Sequence, residues 1–360
     1  MNNGNKFDFT NMVAAVSRYA ANNEEIDLSD EKFIDWLGGD LGDSDISARD
    51  IYQACLNRLP EAEVCRIRYS SGRERARHIS QVINSEEFRR IFHGLLCKSY
   101  PEAQRIFFLH IPKTGGTDLR ERFRGDASTL IWDVSHESDV HGAQLAHQQF
   151  PKFQRAESKR ILFTGHYDIN DLFSRSSLRS SDKAFTVIRN PVDVVVSAIN
   201  FVLTELERYP ERPYAQNWNA RLAMLGVEQR SEGQAWERWQ ISRLLRSPDF
   251  YDEYANLISR YLGGHDGAMD SIVDNIVVAD MDLVEISALE SYVERYVGPR
   301  TSASYLNVSK KVIQSEGDLD LRDRIYIRDV MCSRDMNIFN FLKDFFHSGN
   351  GVITPSTCFA

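Results

Sequence analysis

The sequence predicts an α/β fold, a parallel sheet flanked by helices, preceded by an all-helical N-terminal domain. Three observations carry this expectation. Before Pro101, apolar residues recur at spacings of three and four, the mark of amphipathic helices. After it, short and almost wholly apolar runs alternate with helical stretches, as buried parallel strands and their crossovers do. The first such run leads through a glycine-containing turn directly into a helix. A length of 360 residues exceeds the usual single domain, so a smaller domain beside a larger one is expected.

Residues 1–100 form the predicted helical accessory domain. Ala48-Arg-Asp-Ile-Tyr-Gln-Ala-Cys-Leu56 and Glu86-Glu-Phe-Arg-Arg-Ile-Phe-His-Gly-Leu95 carry the helical period, and Ser85 before acidic residues is an N-cap for the second. Residues 101–350 form the predicted catalytic domain. Its strands are Arg105–Leu109, Arg160–Thr164, Ala184–Ile188 and Asn275–Ala279. Its helices are Thr117–Arg124, Val192–Thr204, Gln234–Leu245, Ser287–Tyr296 and Leu321–Phe346. Residues 351–360 are a tail. No internal repeat or low-complexity tract is evident.

With 42% hydrophobic and 26% charged residues, the chain can bury a substantial core. Forty-three basic against 52 acidic residues give −9, which argues against a general nucleic-acid binder but leaves room for a local anion site. The five cysteines, Cys55, Cys65, Cys97, Cys332 and Cys358, lack the pairing of a zinc site and the density of a disulfide scaffold, so no metal is expected. The N-terminus has no apolar signal core, and no run approaches the ~18 apolar residues of a membrane span. A cytoplasmic protein is the expectation.

The chemistry concentrates in His110-Ile-Pro-Lys-Thr-Gly-Gly-Thr117. A strand, a glycine turn and a helix N-terminus make an anion site, because unpaired N–H groups and the helix dipole point at the ligand. Gly115 and Gly116 permit close backbone approach. Lys113 adds a mobile charge, and Thr114 and Thr117 add hydroxyl donors. The nucleoside-triphosphate pattern Gly-x-x-x-x-Gly-Lys-Ser/Thr places its lysine after the glycines, whereas Lys113 precedes them. A triphosphate with magnesium is therefore disfavoured. A second anion element, Arg189-Asn-Pro-Val-Asp-Val-Val-Val-Ser197, follows the strand ending at Ile188. Its arginine offers bidentate phosphate contacts, and Pro191 suits a first helical turn. Among the nine histidines, His166 stands just past a strand end, where functional groups of open α/β sheets gather. His136, His141 and His147 read as solvated loop residues that can touch a substrate.

Pro-Lys-Thr-Gly-Gly-Thr after an apolar strand, with Arg189-Asn-Pro…Ser197 in the right order, resembles the carbohydrate-modifying sulfotransferases, the branch that includes heparan sulfate 2-O-sulfotransferase. The resemblance covers roughly 105–346. It implies a P-loop-like fold that binds 3′-phosphoadenosine 5′-phosphosulfate (PAPS) without a metal. By this resemblance, residues 113–117 hold the 5′-phosphate, Lys113 is also catalytic through the charge it stabilises on the leaving phosphate oxygen, and Arg189 and Ser197 hold the 3′-phosphate. Ser309 and Lys310, in Tyr305–Lys311, close over the nucleotide. Relatives carry His-Gly-His where this chain has Thr164-Gly165-His166, so the position of the catalytic base is kept. Gln-x-x-x-Leu in 240–244 is similar to a helix beside the acceptor, with Arg238 and Arg243 as candidate contacts for an anionic sugar. Tyr52…Leu56-Asn-Arg-Leu-Pro60 with Ile83–Phe88 resembles the small DUF4214-type helical domains of bacterial glycan-handling proteins. The resemblance therefore implies a bacterial enzyme acting on a saccharide or glycoconjugate hydroxyl, with PAPS as donor. The rivals are a nucleotide-dependent kinase and an inactive glycan-binding protein.

Overall fold

A computed structural model of the chain describes residues 8–21, 30–41, 45–85, 87–88, 95, 98–133, 152–153, 155–175, 178–227, 235–264, 267–299 and 312–355. It is an α/β structure with a six-stranded, mostly parallel sheet flanked by helices. The strands are β1 Gln104–Leu109, β2 Thr129–Asp133, β3 Arg160–Gly165, β4 Lys183–Ile188, β5 Met281–Glu285 and β6 Val352–Ile353, in the order β2-β3-β1-β4-β5-β6. The pairs β2–β3 and β4–β5 run parallel, and β6 lies antiparallel on β5 through Leu283↔Ile353 and Val284↔Val352. Ile106, Phe108, Leu109, Phe185, Val187 and Ile188 are buried, which explains why β1 and β4 read as continuous apolar runs.

The chain divides into two compact units. The first comprises Met1–Phe107, Phe123–Gly165 and Ser174–Asp182. It holds helices α1 Phe9–Ala21, α2 Glu31–Leu41, α3 Ala48–Leu56 and α4 Gly72–Ile83, with α2 and α3 both packed on α4. The expected helix at Ala48 starts on a capping box, in which Ser47 accepts from Asp50 N and Asp50 accepts from Ser47 N. Ser85 caps as expected, its Oγ accepting from Phe88 N at 3.2 Å, while most of the helix predicted to follow lies outside the described residues. At the foot of β1, Arg105 donates to Asp182 through Nε at 2.8 Å and also through Nη2, with both side chains buried.

The second unit comprises Phe108–Arg122, His166–Phe173 and Lys183–Ala360. Its helices are α5 Gly116–Arg124, α6 Ile169–Arg175, α7 Pro191–Arg208, α8 Pro213–Met224, α9 Arg238–Leu245, α10 Pro248–Tyr254, α11 Leu257–Leu262, α12 Met269–Val278, α13 Leu289–Val297, α14 Leu321–Tyr326 and α15 Ser333–Ser348. Three expectations need correction. Residues 351–360 are not only a tail, because Val352–Ile353 adds β6 to the edge of the sheet. Asn275–Ala279 is not a strand but the end of α12. Ile272 and Ile276 are buried one turn apart, while Val278 is 73% exposed. A short apolar run does not distinguish strand from helix by itself. The strand is the next segment, Met281–Glu285. The single helix predicted over Leu321–Phe346 is broken by a π-helical turn at Ile327–Met331. Asn256 causes the restart: its Oδ1 accepts from Arg334 N at 3.1 Å, and its own N–H donates to Met331 O at 2.9 Å. Asp335 in turn accepts from Ile258 N and Ser259 N at the start of α11. These two side chains cap each other's helices across about 80 residues of sequence, a spacing no local pattern reveals.

Among the described residues, no helix is long and apolar enough to cross a membrane.

Candidate active site

β1 stops where His110-Ile-Pro turns away from the ladder, and the chain enters α5 at Gly116. Two residues of the turn are left-handed, Lys113 at φ +67° and Gly115 at φ +94°. For a lysine this conformation costs roughly 1–2 kcal/mol and persists only where the surroundings dictate it. The surroundings do so here. Arg189 Nη1 donates to Lys113 O at 3.2 Å, and Thr186 Oγ1 donates to Leu109 O at 2.7 Å. The Thr114 hydroxyl donates to Ile111 O at 2.7 Å, and Thr114 is fully buried. That hydroxyl proton braces the loop, so only the backbone of Thr114 is left to meet a ligand. Thr117 lies in the first turn of α5, part-buried.

The two glycines serve different needs. Gly115 supplies the positive φ. Gly116 makes room for a ring: a Cβ there would stand 2.1 Å from His110 Nε2. Gly116→Ala is therefore expected to destabilise the fold by about 1–3 kcal/mol through overpacking. Thermal denaturation should show a melting point several degrees lower.

His110 belongs to a stack of four rings. Phe185 of β4 lies on Phe108 at 4.9 Å between centroids, Phe108 on His110 at 5.3 Å, and His110 on His166 at 4.3 Å, all within 30° of parallel. Phe108 and His110 share a face of β1 because side chains alternate along a strand. His166, just past β3, is exposed at the end of the stack, and its Nδ1 lies 2.9 Å from His110 O. Since a carbonyl only accepts, Nδ1 carries the proton and Nε2 is the basic nitrogen. Burial holds His110 well below the ordinary imidazole range, and His166, Arg120 and Lys113 push it the same way. Its Nδ1 makes no hydrogen bond among the described residues.

Lys113 reaches across to α7, where its Nζ stands 3.7 Å from the centre of the Phe201 ring. Tyr214 of α8 packs on Phe201 at 5.5 Å and donates to Glu253 at 3.0 Å. Burial pulls the Lys113 ammonium down to about 8, the Arg189 charge adds to this, and Glu205 and Glu253 partly oppose it. Arg189 is itself half-buried, which lowers its pKa against the pull of Asp193. Behind it, Asn190 caps α7 by accepting from Val192 N at 3.0 Å, with Pro191 in the first turn as expected. Ser197 is part-buried on α7, two turns from Arg189.

Thus Lys113, Thr114, Gly115, Gly116, Thr117, His166 and Arg189 come together in the second unit, with Ser197 on the helix that Arg189 precedes. Ser309, Lys310, His136, His141 and His147 lie outside the described residues. Asn200, which no local motif marks, fixes the chain just after position 311. Its amide donates to Ile313 O at 2.9 Å and accepts from Val312 N and Ile313 N. Gln240 is occupied locally, accepting from Glu237 N at 3.0 Å. Arg238 is exposed, and Arg243 donates to Leu225 O while its guanidinium lies 5.2 Å over Trp239. Phe201 is a site residue that sequence reasoning missed, and His110 stands in the sequence analysis only as the start of the loop, without a role of its own. Strand alternation from Phe108 pointed to His110; nothing local pointed to Phe201.

No protein-family model, no curated protein and no solved structure matches the chain.

Proposed function

We propose that the protein is a sulfotransferase that moves the sulfuryl group of PAPS to a hydroxyl of a saccharide or glycoconjugate, releasing 3′-phosphoadenosine 5′-phosphate. The observation that carries this reading is the meeting of three elements around one loop. These are a lysine-bearing turn at a helix N-terminus, the Arg189 guanidinium bound to that turn, and His166 bound to the residue that opens it. Two cationic anchors and a base of fixed tautomer suit a donor with two phosphates and an acceptor that must lose a proton. The P-loop-like reading of the fold rests on the same loop following β1, which the strand order places between β3 and β4.

PAPS supplies an activated sulfuryl group on a phosphate leaving oxygen. The backbone of 114–117 and the α5 N-terminus would hold the 5′-phosphate, and Arg189 with Ser197 the 3′-phosphate. Ser309 and Lys310 are further candidates on the sequence resemblance alone. His166 Nε2 takes the acceptor proton as the acceptor oxygen bonds to sulfur. Lys113 neutralises the charge left on the departing oxygen as the sulfur–oxygen bond breaks. In its present position the Lys113 ammonium rests on Phe201, so it has to turn toward the phosphate side to do this. Sulfuryl transfer of this kind is mainly positioning and electrostatics, as phosphoryl transfer is.

The test is thermal stabilisation. At 100 times its dissociation constant a ligand adds about 2.7 kcal/mol to the native state. The product 3′-phosphoadenosine 5′-phosphate is expected to raise the melting point by several degrees, and ATP with magnesium to leave it unchanged. The reverse result would identify a kinase. No response to either would leave a glycan-binding protein and sink the proposal.

A further inference from the structure

We propose that His110 is a positioning residue for His166, its buried ring acting as a shelf that holds the His166 imidazole with Nδ1 protonated and Nε2 as the basic nitrogen. The catalytic consequence rests on the reading of His166 as the base. The positioning itself rests on geometry alone.

Two contacts from one residue define the His166 ring. The His110 carbonyl lies 2.9 Å from His166 Nδ1, which sets the tautomer. The His110 ring lies 4.3 Å beneath it, 29° from parallel, which sets the plane. A single hydrogen bond leaves a ring free to pivot about it; a bond and a stacking face together do not. The shelf is itself immobile. Phe108 supports it from below, Phe185 supports Phe108, and Gly116 is the residue whose missing Cβ admits it. His110 is 5% exposed, and its Nδ1 has no hydrogen-bond partner among the described residues. His110 therefore meets His166 through its ring face and its backbone carbonyl. The cationic side chains that bear on it are Lys113 from the loop and Arg120 from α5, and both disfavour a charge on it.

Ring ¹⁵N spectra of the full chain decide the matter, with the His166 resonances assigned by their loss in His166→Gln. Wild type is expected to show the Nδ1-protonated tautomer of His166 by roughly tenfold over the other, the preference one hydrogen bond provides. In His110→Ala the carbonyl remains but the shelf is gone, and the preference should fall several-fold. His110→Phe, which returns a ring to the stack, should restore it. An Nε2-protonated His166 in wild type would overturn the proposal. So would a folded His110→Ala protein that keeps the wild-type preference. Because the spectra are recorded without donor or acceptor, their result is separate from whether the chain transfers sulfuryl groups. Thermal shift with 3′-phosphoadenosine 5′-phosphate reports on that reading independently.

Discussion

Lys113→Met is expected to lower sulfuryl transfer about 10²–10³-fold, the usual loss when one charge-stabilising donor is removed from an active site, and at the same time to stabilise the fold. The two effects have one origin. The Lys113 ammonium is kept in a part-buried position on Phe201, where its pKa falls from 10.5 to about 8. The folded protein therefore binds fewer protons than the unfolded chain between pH 8 and about 10.4, so this group's contribution makes stability rise with pH across that window. At neutral pH the charge carries a cost on the order of 3 kcal/mol, which a methionine of similar length on the same ring does not incur. Denaturant unfolding of the two proteins near pH 7 and again near pH 10 checks the claim. The gap between them should be wide at the lower pH and narrow at the higher. Equal stabilities at both, or full turnover by the variant, would remove Lys113 from the role given to it.

His166→Gln should reduce turnover by about 10²–10⁴-fold, the contribution typical of a positioned general base. Donor affinity should change little, because His166 is not among the groups assigned to either phosphate. Product binding measured by calorimetry, set beside single-turnover rates on a saccharide acceptor, separates the two effects. A fall in affinity that matched the fall in rate would place His166 at the donor and leave the acceptor proton without a base.

The parts of this fold governed by local periodicity were legible beforehand. β1, β3 and β4 are buried and almost wholly apolar runs, and the turn after β1 is marked by its glycines and by the lysine ahead of them. What escaped depended on distant partners. Asn256 and Asp335 cap each other's helices from far apart, so local pattern alone shows one long terminal helix without its break. Asn275–Ala279 is apolar enough for a strand, and it is the burial of Ile272 and Ile276 one turn apart, with Val277 and Val278 exposed, that marks it as helix. In the site, the residue types were readable but their duties were less so. Thr114 looked like an anion donor, yet its hydroxyl is committed to Ile111 O. Gly116 looked like a concession to the ligand, yet its hydrogen faces His110. Arg189 was expected at a phosphate; its hold on the Lys113 carbonyl could not be seen across 76 residues.

The Arg105–Asp182 pair has a bearing on how this sequence can diverge. With both side chains buried, loss of either partner alone strands a charge and costs about 3–5 kcal/mol, whereas exchanging both for apolar groups is often neutral. A domain with only about 5–15 kcal/mol in reserve tolerates the first step poorly. The two positions, 77 residues apart in sequence, are thus bound to a common evolutionary fate. Descendants of this chain are expected to keep both or to have replaced both, with few intermediates surviving on the way.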